Sequence, residues 1–264
     1  GPETCFLIEV RTETDASRQP RVVKTGSPWR FEGVVHERLV NRAEQKDPTV
    51  VIPGCWIEHR ITDPERRMKR LREFDVPALE RAIAEGTDET ERTRHILLLA
   101  QTHENIAEAA TGIGDLVRNQ AAALGLYLWV TQRETGNIDA GNYAQFHIAT
   151  ILRSLQILDD GTYLRSLLKL AESDPHRPDV AFAIAVTAPH LDPRACYDKA
   201  VIAARVARDA NGKYALSDPS LHWKAHQLAA VCARAVGLVD SARKSAEAGV
   251  KAGGPVPVFQ EFMA

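Results

Sequence analysis

Thr62-Asp63-Pro64-Glu65-Arg66-Arg67 decides how this chain is read. A capping side chain, a proline suited to the first helical turn and an acid close behind together form a helix start. On its N-terminal side, residues 5–11, 21–25, 29–35 and 49–61 are rich in Val, Ile, Phe, Trp and Thr. Turn-forming stretches separate them at Asp15-Ala16-Ser17, Gly26-Ser27-Pro28 and Asp47-Pro48, so they read as four short strands. Such a head buries little by itself and needs a partner layer. On the C-terminal side, helical runs are expected at 64–85, 91–110, 113–134, 140–157, 161–173, 177–190, 193–209, 219–236 and 239–252. The fold class is therefore α+β and mostly α, with a β-rich domain over 1–62 and an α-helical domain over 63–264.

The helical part carries signs of stacked hairpins. Gly237, Val239, Ala242, Ala246, Gly249 and Pro255 fall close to the small-residue offsets of a tetratricopeptide hairpin. Tyr163, Leu167, Leu170 and Pro175 match the second half of such a unit. The period departs from 34 residues, which leaves an irregular helical bundle as the other reading.

Composition removes several classes. The 264 residues hold 33 Lys+Arg against 35 Asp+Glu, a formal net charge of −2, which argues against a protein held mainly by nucleic-acid phosphates. The sequence contains no apolar run long enough to span a bilayer, and a cytoplasmic location is expected. The four cysteines Cys5, Cys55, Cys196 and Cys232 are scattered without CxxC spacing, so neither a cysteine zinc site nor a disulfide framework is expected. The chain opens on Gly1-Pro2 rather than Met, and it is expected to be a piece of a longer protein.

Three local features could carry chemistry. In Gly33-Val34-Val35-His36-Glu37 a strand ends on a His-Glu pair; the carboxylate could take a proton from an acceptor, and the imidazole could bind a metal. The alternative is ordinary surface polarity. Next, Ile57-Glu58-His59-Arg60 leads to Arg66, Arg67, Lys69, Arg70 and Arg72, five basic residues in seven positions at a helix start. That is a candidate phosphate or diphosphate site, or else a solvated face laced with Glu65, Glu73 and Asp75. Finally, His222 and His226 have the i, i+4 spacing of metal ligands, with Cys232 further along. Position 223 is Trp, however, where a metalloprotease helix carries its Glu, and two polar residues lining a hairpin is the favoured reading.

Gly33-Val34-Val35-His36-Glu37, then Ile57-Glu58-His59, then basic residues running into Phe74, Leu79-Glu80 and Ala82-Ile83, resemble the second half of family 2 glycosyltransferases. In that family a GT-A catalytic domain precedes tetratricopeptide-like helices. Leu97-Leu98-Leu99-Ala100-Gln101, Tyr163-Leu164-Arg165 and Pro175-His176-Arg177-Pro178 resemble its helical tail, so the likeness spans about residues 25–250. It implies transfer of a sugar from a nucleotide sugar with inversion, using Mn²⁺ or Mg²⁺. By the same resemblance Glu37 would be the catalytic base, and His59 would help hold the metal–diphosphate with His36 as the alternative ligand. Arg66, Lys69 and Arg70 would then offset charge on the leaving diphosphate.

The family's N-terminal βαβ half and its Asp-x-Asp motif are missing from these residues. The donor-binding half is therefore expected in the same or another chain, and this chain alone is expected not to transfer sugar. The acceptor stays open among a protein, a glycan and a nucleobase; the helical part would present it, mediate homo-oligomerisation, or both. Two other functions compete: a non-enzymatic helical-repeat scaffold that binds peptides, and a transferase acting on a nucleic-acid base.

Overall fold

The computed structural model describes residues 5–11, 16–32, 34–35, 38–41, 49–58, 63–133, 138–187, 193–210, 218 and 220–263. It is α+β and mostly α, and it forms two compact units, Gly1–Ala123 and Leu124–Ala264. The change from strand to helix at Asp63 falls inside the first unit.

In the first unit, β1 (Cys5–Arg11) is the central strand of three. It pairs antiparallel with β2 (Ala16–Val23), in a register that opposes Cys5 to Val23. On its other edge it pairs parallel with β5 (Thr49–Glu58), opposing Cys5 to Thr49. The register shifts between Phe6 and Leu7 in the first ladder and between Leu7 and Glu9 in the second. A separate antiparallel pair, β3 (Trp29–Glu32) with β4 (Arg38–Asn41), opposes Glu32 to Arg38. Three sequence expectations shift here. Ala16 and Ser17 begin a strand instead of a turn, because the β1 partner supplies backbone bonds that local propensity cannot see. The strand expected over 29–35 stops at Glu32, and β4 was not expected at all.

The helix expected over 64–85 forms in three parts: α1 (Pro64–Arg70), a π-helical turn (Leu71–Asp75) and α2 (Val76–Glu85). Asp63 caps it as expected, its Oδ1 accepting from the Arg66 amide at 2.9 Å. In the π turn the Val76 amide donates to the Leu71 carbonyl, an i→i+5 bond. α3 (Glu89–Glu108) is capped in the same way, with Asp88 Oδ1 accepting from the Glu91 amide at 2.9 Å. It packs against α2 and the π turn, burying Leu79 with Ile96, Leu97, Leu98 and Leu99. The boundary between the units falls within α4 (Ile113–Thr131).

The second unit is a run of helices: α5 (Ile138–Ser154), α6 (Asp160–Ser173), α7 (Pro178–Thr187), α8 (Pro193–Ala210), α9 (Leu221–Ala235), α10 (Val239–Lys251) and α11 (Val256–Met263). From α5 onward each packs on the next, and α7 also meets α9 while α9 also meets α11, as in stacked hairpins. Small residues set the spacing: Ala185, Ala200, Ala203, Ala204, Ala225 and Ala229 form one core cluster between α7, α8 and α9. The expected hairpin positions Ala242 and Ala246 are buried, and so are Tyr163, Leu167 and Leu170. Gly237, with φ of +77°, ends α9 in the left-handed region that a Cβ would disfavour. The sequence pattern missed α11, whose eight residues are too few to display a period. Phe259 and Phe262 hold it in place, and the ring of Phe259 occupies the space a Cβ on Gly249 would need.

Two constraints tie this unit together. Arg177 is 1% exposed and reaches three carboxylates, pairing with Asp139 on α5, with Asp174 after α6 (3.5 Å) and with Asp179 on α7 (3.2 Å). Cys196 on α8 and Cys232 on α9 form a disulfide with Cα atoms 6.1 Å apart. That corrects the expectation drawn from scattered cysteines: 36 positions apart along the chain, they meet because α8 and α9 are neighbours. Among the described residues, neither Cys5 nor Cys55 takes part in a disulfide. Among the described residues no helix is long and apolar enough to cross a membrane.

Arg177→Met is expected to cost about 3–5 kcal/mol in urea unfolding, because it strands the buried Asp179 carboxylate and the half-buried Asp174. Asp139→Asn should cost less, since Asp139 is 39% exposed. Reducing Cys196–Cys232 should remove about 4 kcal/mol in the loop-entropy picture for a 36-residue separation. A thermal scan with and without reductant checks this, and the Cys196→Ser variant should be insensitive to the reductant.

Candidate functional site

The connection between β3 and β4 brings Val34 and Val35 to one wall of an open cleft of about 700 Å³ in the first unit. The helix of residues 64–85 contributes the rest of the lining: Arg66, Lys69, Arg70, Phe74, Asp75 and Ala78. Arg66, Lys69 and Arg70 follow the helical i, i+3, i+4 spacing, so one face of α1 presents all three. The cationic residues expected to meet a diphosphate thus share a cleft with the two valines that immediately precede His36 and Glu37. His36, Glu37 and His59 themselves lie outside the described residues. Their flanks are placed: Val35 is buried beside the cleft, and β5 ends at Glu58, one residue before His59.

The His-Glu pair was expected at the end of a strand, by analogy with the strand ends of open parallel sheets. β3 and β4 form an antiparallel pair, and the connection between them carries positions 36 and 37. The parallel-sheet analogy therefore does not apply at this position, and any role for Glu37 has to rest on the cleft.

Pairing tempers the cations to different degrees. Arg70 Nε lies 3.4 Å from Asp75 Oδ1, and Asp75 is only 7% exposed. Lys69 sits 3.9 Å from Glu73, with both side chains open to water, a contact worth little. Arg72 points elsewhere, bonding Asp115 at 2.9 Å. Among the described residues, the guanidinium of Arg66 has no ion-pair partner. The solvated-face reading thus describes Lys69 and Arg72 well, while Arg66 and the concavity beside it are not explained by it.

The residues that sequence reasoning did not assign to a site are Phe74, Val34, Val35 and Ala78. Phe74 lies three positions after Leu71 and four before Ala78, which reads as a core stripe. The signal against that reading was Asp75, a carboxylate four positions from both Leu71 and Leu79. Within the π turn Asp75 is buried, and Phe74 is 65% exposed and lines the cleft.

The expected metal ligands His36 and His59 lie outside the described residues. Among the described residues no three His, Cys, Asp or Glu side chains gather as a ligand set, and the cleft's carboxylate, Asp75, is engaged by Arg70. In the second unit, His222 and His226 lie with ring centroids 5.2 Å apart, while Cys232 is consumed by its disulfide. Burial lowers the pKa of His226 to about 4, helped by His222 and by Arg208. Burial also lowers that of His222, with Arg208 acting in the same direction and Asp209 opposing. The pair is accordingly neutral at pH 7 and lines the packed face of α9.

No family model matches the chain, and no curated protein matches it. Among solved structures it is similar to the crystal structure of MamA at 14% identity, with a TM-score of 0.37, covering 73% of this chain and 95% of that one. A likeness of that size carries no argument about function.

His226 sets a pH expectation. The unfolded chain takes up a proton on this imidazole below about pH 6.5, whereas the folded chain resists until about 4. Folding stability should therefore be complete above pH 6.5 and fall as pH drops from 6.5 toward 4. Urea unfolding at a series of pH values checks it. His226→Gln should flatten the dependence in that window, and an unchanged slope in the variant would remove His226 as its source.

Proposed function

We infer that this chain is the acceptor-side and helical portion of an inverting glycosyltransferase, whose nucleotide-sugar-binding half is supplied by residues outside 1–264. The observation that carries this reading is the shared cleft. Val34 and Val35, adjoining His36-Glu37, face Arg66, Lys69 and Arg70 across about 700 Å³. Ligand sites commonly occupy a space of this size.

The chemistry assigned to these residues is a single displacement. Glu37 takes the proton from an acceptor hydroxyl as that oxygen bonds to the anomeric carbon. The bond from that carbon to the diphosphate oxygen breaks, and its electron pair leaves with the diphosphate. Arg66 and Lys69 meet the charge that develops on the leaving group, with Arg70 buffered by Asp75. The resemblance associates Mn²⁺ or Mg²⁺ with this reaction; His59, with His36 as the alternative, would hold the ion, which would offset charge on the diphosphate.

A scaffold role has its own supporting observation. The succession of α5 to α11, with α7 meeting α9 and α9 meeting α11, has the contact pattern of repeat arrays that bind peptides. It accounts for the second unit and leaves the cationic cleft of the first without a purpose.

Glu37→Gln separates the two. With the donor half present, the change should lower sugar transfer by about 10²–10⁴-fold, the usual contribution of a general base, while the melting temperature stays put. Undiminished transfer in the variant would remove Glu37 as the base, and a parent protein that transfers no sugar with the donor half present would return it to the scaffold reading. The chain of residues 1–264 alone should neither transfer sugar nor bind a nucleotide sugar in a metal-dependent way.

A further inference from the structure

His222 and His226 lie on α9 in the second unit, which holds none of the cleft residues. Their i, i+4 spacing sets both on one face of the helix. Both side chains are half-buried. Among the described residues no hydrogen bond engages either ring, and the ring contact each makes is with the other. Polar side-chain atoms carried into packing ordinarily find a partner, so two unbonded imidazoles side by side call for one.

Their separation indicates which partner fits. A ligating nitrogen lies about 2.0–2.1 Å from zinc, which puts the ion about 3.2 Å from each ring centroid, and a tetrahedral angle then sets the centroids about 5.2 Å apart. The two rings are 5.2 Å apart, centroid to centroid. The right angle of a square-planar or octahedral ion would need about 4.5 Å instead. Turning an imidazole about its Cβ–Cγ bond hardly moves its centroid, and that torsion is broad. The spacing therefore holds whichever ring nitrogen faces the ion.

The surroundings permit a cation without providing a full cage. Burial, with Arg208 acting in the same direction, keeps both imidazoles neutral at pH 7, so each has a lone pair and no proton for a metal to displace. Arg208 opposes a second cation, but its Nε lies 2.8 Å from Asp209 Oδ1, and both side chains are open to water that screens them. Cys232 is held in its disulfide, and among the described residues no third His, Cys, Asp or Glu joins the pair. We propose that His222 and His226 form a zinc site on α9, with two protein ligands and water in the remaining positions. The site is independent of the cleft and of sugar transfer.

Zinc chloride is titrated into the 264-residue chain by calorimetry, with magnesium chloride as the hard-cation control. Loss of an outer-sphere partner already weakens metal sites by about 10–100-fold, so His222→Ala and His226→Ala should each weaken this zinc by about tenfold or more. The double variant should bind one equivalent fewer than the parent. Magnesium should ignore the pair, which offers nitrogen and no oxygen. Arg208→Gln keeps both ligands and removes the opposing charge, and it should tighten zinc by about two- to fivefold. The parent protein gives a reading that needs no substitution. Diethyl pyrocarbonate modifies neutral imidazoles, and zinc should protect His222 and His226 from it in peptide mass spectrometry, whereas magnesium should not. Equal modification of the two with and without zinc overturns the proposal. So does a double variant that keeps the parent circular dichroism and every equivalent of zinc.

Discussion

Arg177 is the constraint on which the second unit depends. A guanidinium at 1% exposure has no water to solvate it, and it is tolerable only if carboxylates and carbonyls replace that water on several sides at once. Three aspartates do so from three segments: the start of α5, the end of α6 and the start of α7. The Asp139 carbonyl accepts from Nη2 at 3.1 Å, and the ring of Tyr143 lies 5.9 Å from the guanidinium carbon. Asp174 and Asp179 lie within three positions of Arg177, so the long-range contact is the one to Asp139, 38 positions away, which forms only when α5 has docked against the junction of α6 and α7. A buried ion pair of this kind is poor evidence for extra stability, since well-packed apolar groups would often do as well. It does favour this placement of α5, without which the guanidinium loses its distant partner.

Around this point the packing is made from small residues. The alanine cluster of α7, α8 and α9 lets helices approach closely but buries little area per side chain. Two devices compensate for it further along. The disulfide joins α8 to α9 within that region, and α11 brings Phe259 and Phe262 onto α9 and α10, where Trp223 meets Phe259 edge to face at 6.4 Å. α11 thereby covers the hairpin of α9 and α10.

What the sequence disclosed and what it withheld divide along one physical line. The helix at Asp63 and the breaks at Gly86, Asp159 and Gly237 were legible because caps and turn residues act through neighbours within four positions. The buried faces of α6 and α10 were legible for the same reason, through i, i+3, i+4 spacing. The extension of β2 back to Ala16, the Cys196–Cys232 bond and helix α11 depend on partners distant in the chain, and no local pattern announces them. Within the candidate site, Arg66, Lys69 and Arg70 were found because charge is visible in a sequence. Phe74 was not, because its spacing from Leu71 and Ala78 reads as a core stripe, whereas the fold leaves it 65% exposed.

The same local conflict bears on what the cleft can do. A regular α-helix over 64–85 would set Asp75 among Leu71, Leu79 and Ala82, where a lone carboxylate is costly to bury. Arg70 offsets that cost from a largely exposed position, its side chain 72% accessible, so the pair is only half desolvated and gains correspondingly little. The arrangement removes one cation from the service of a ligand and supplies an exposed aromatic ring in exchange. Selection for folding alone has an easier answer, an apolar residue at position 75 and a polar one at 74. A helix that instead keeps a carboxylate inside and a phenyl ring outside, beside Arg66 and Lys69, is organised around something that occupies the cleft.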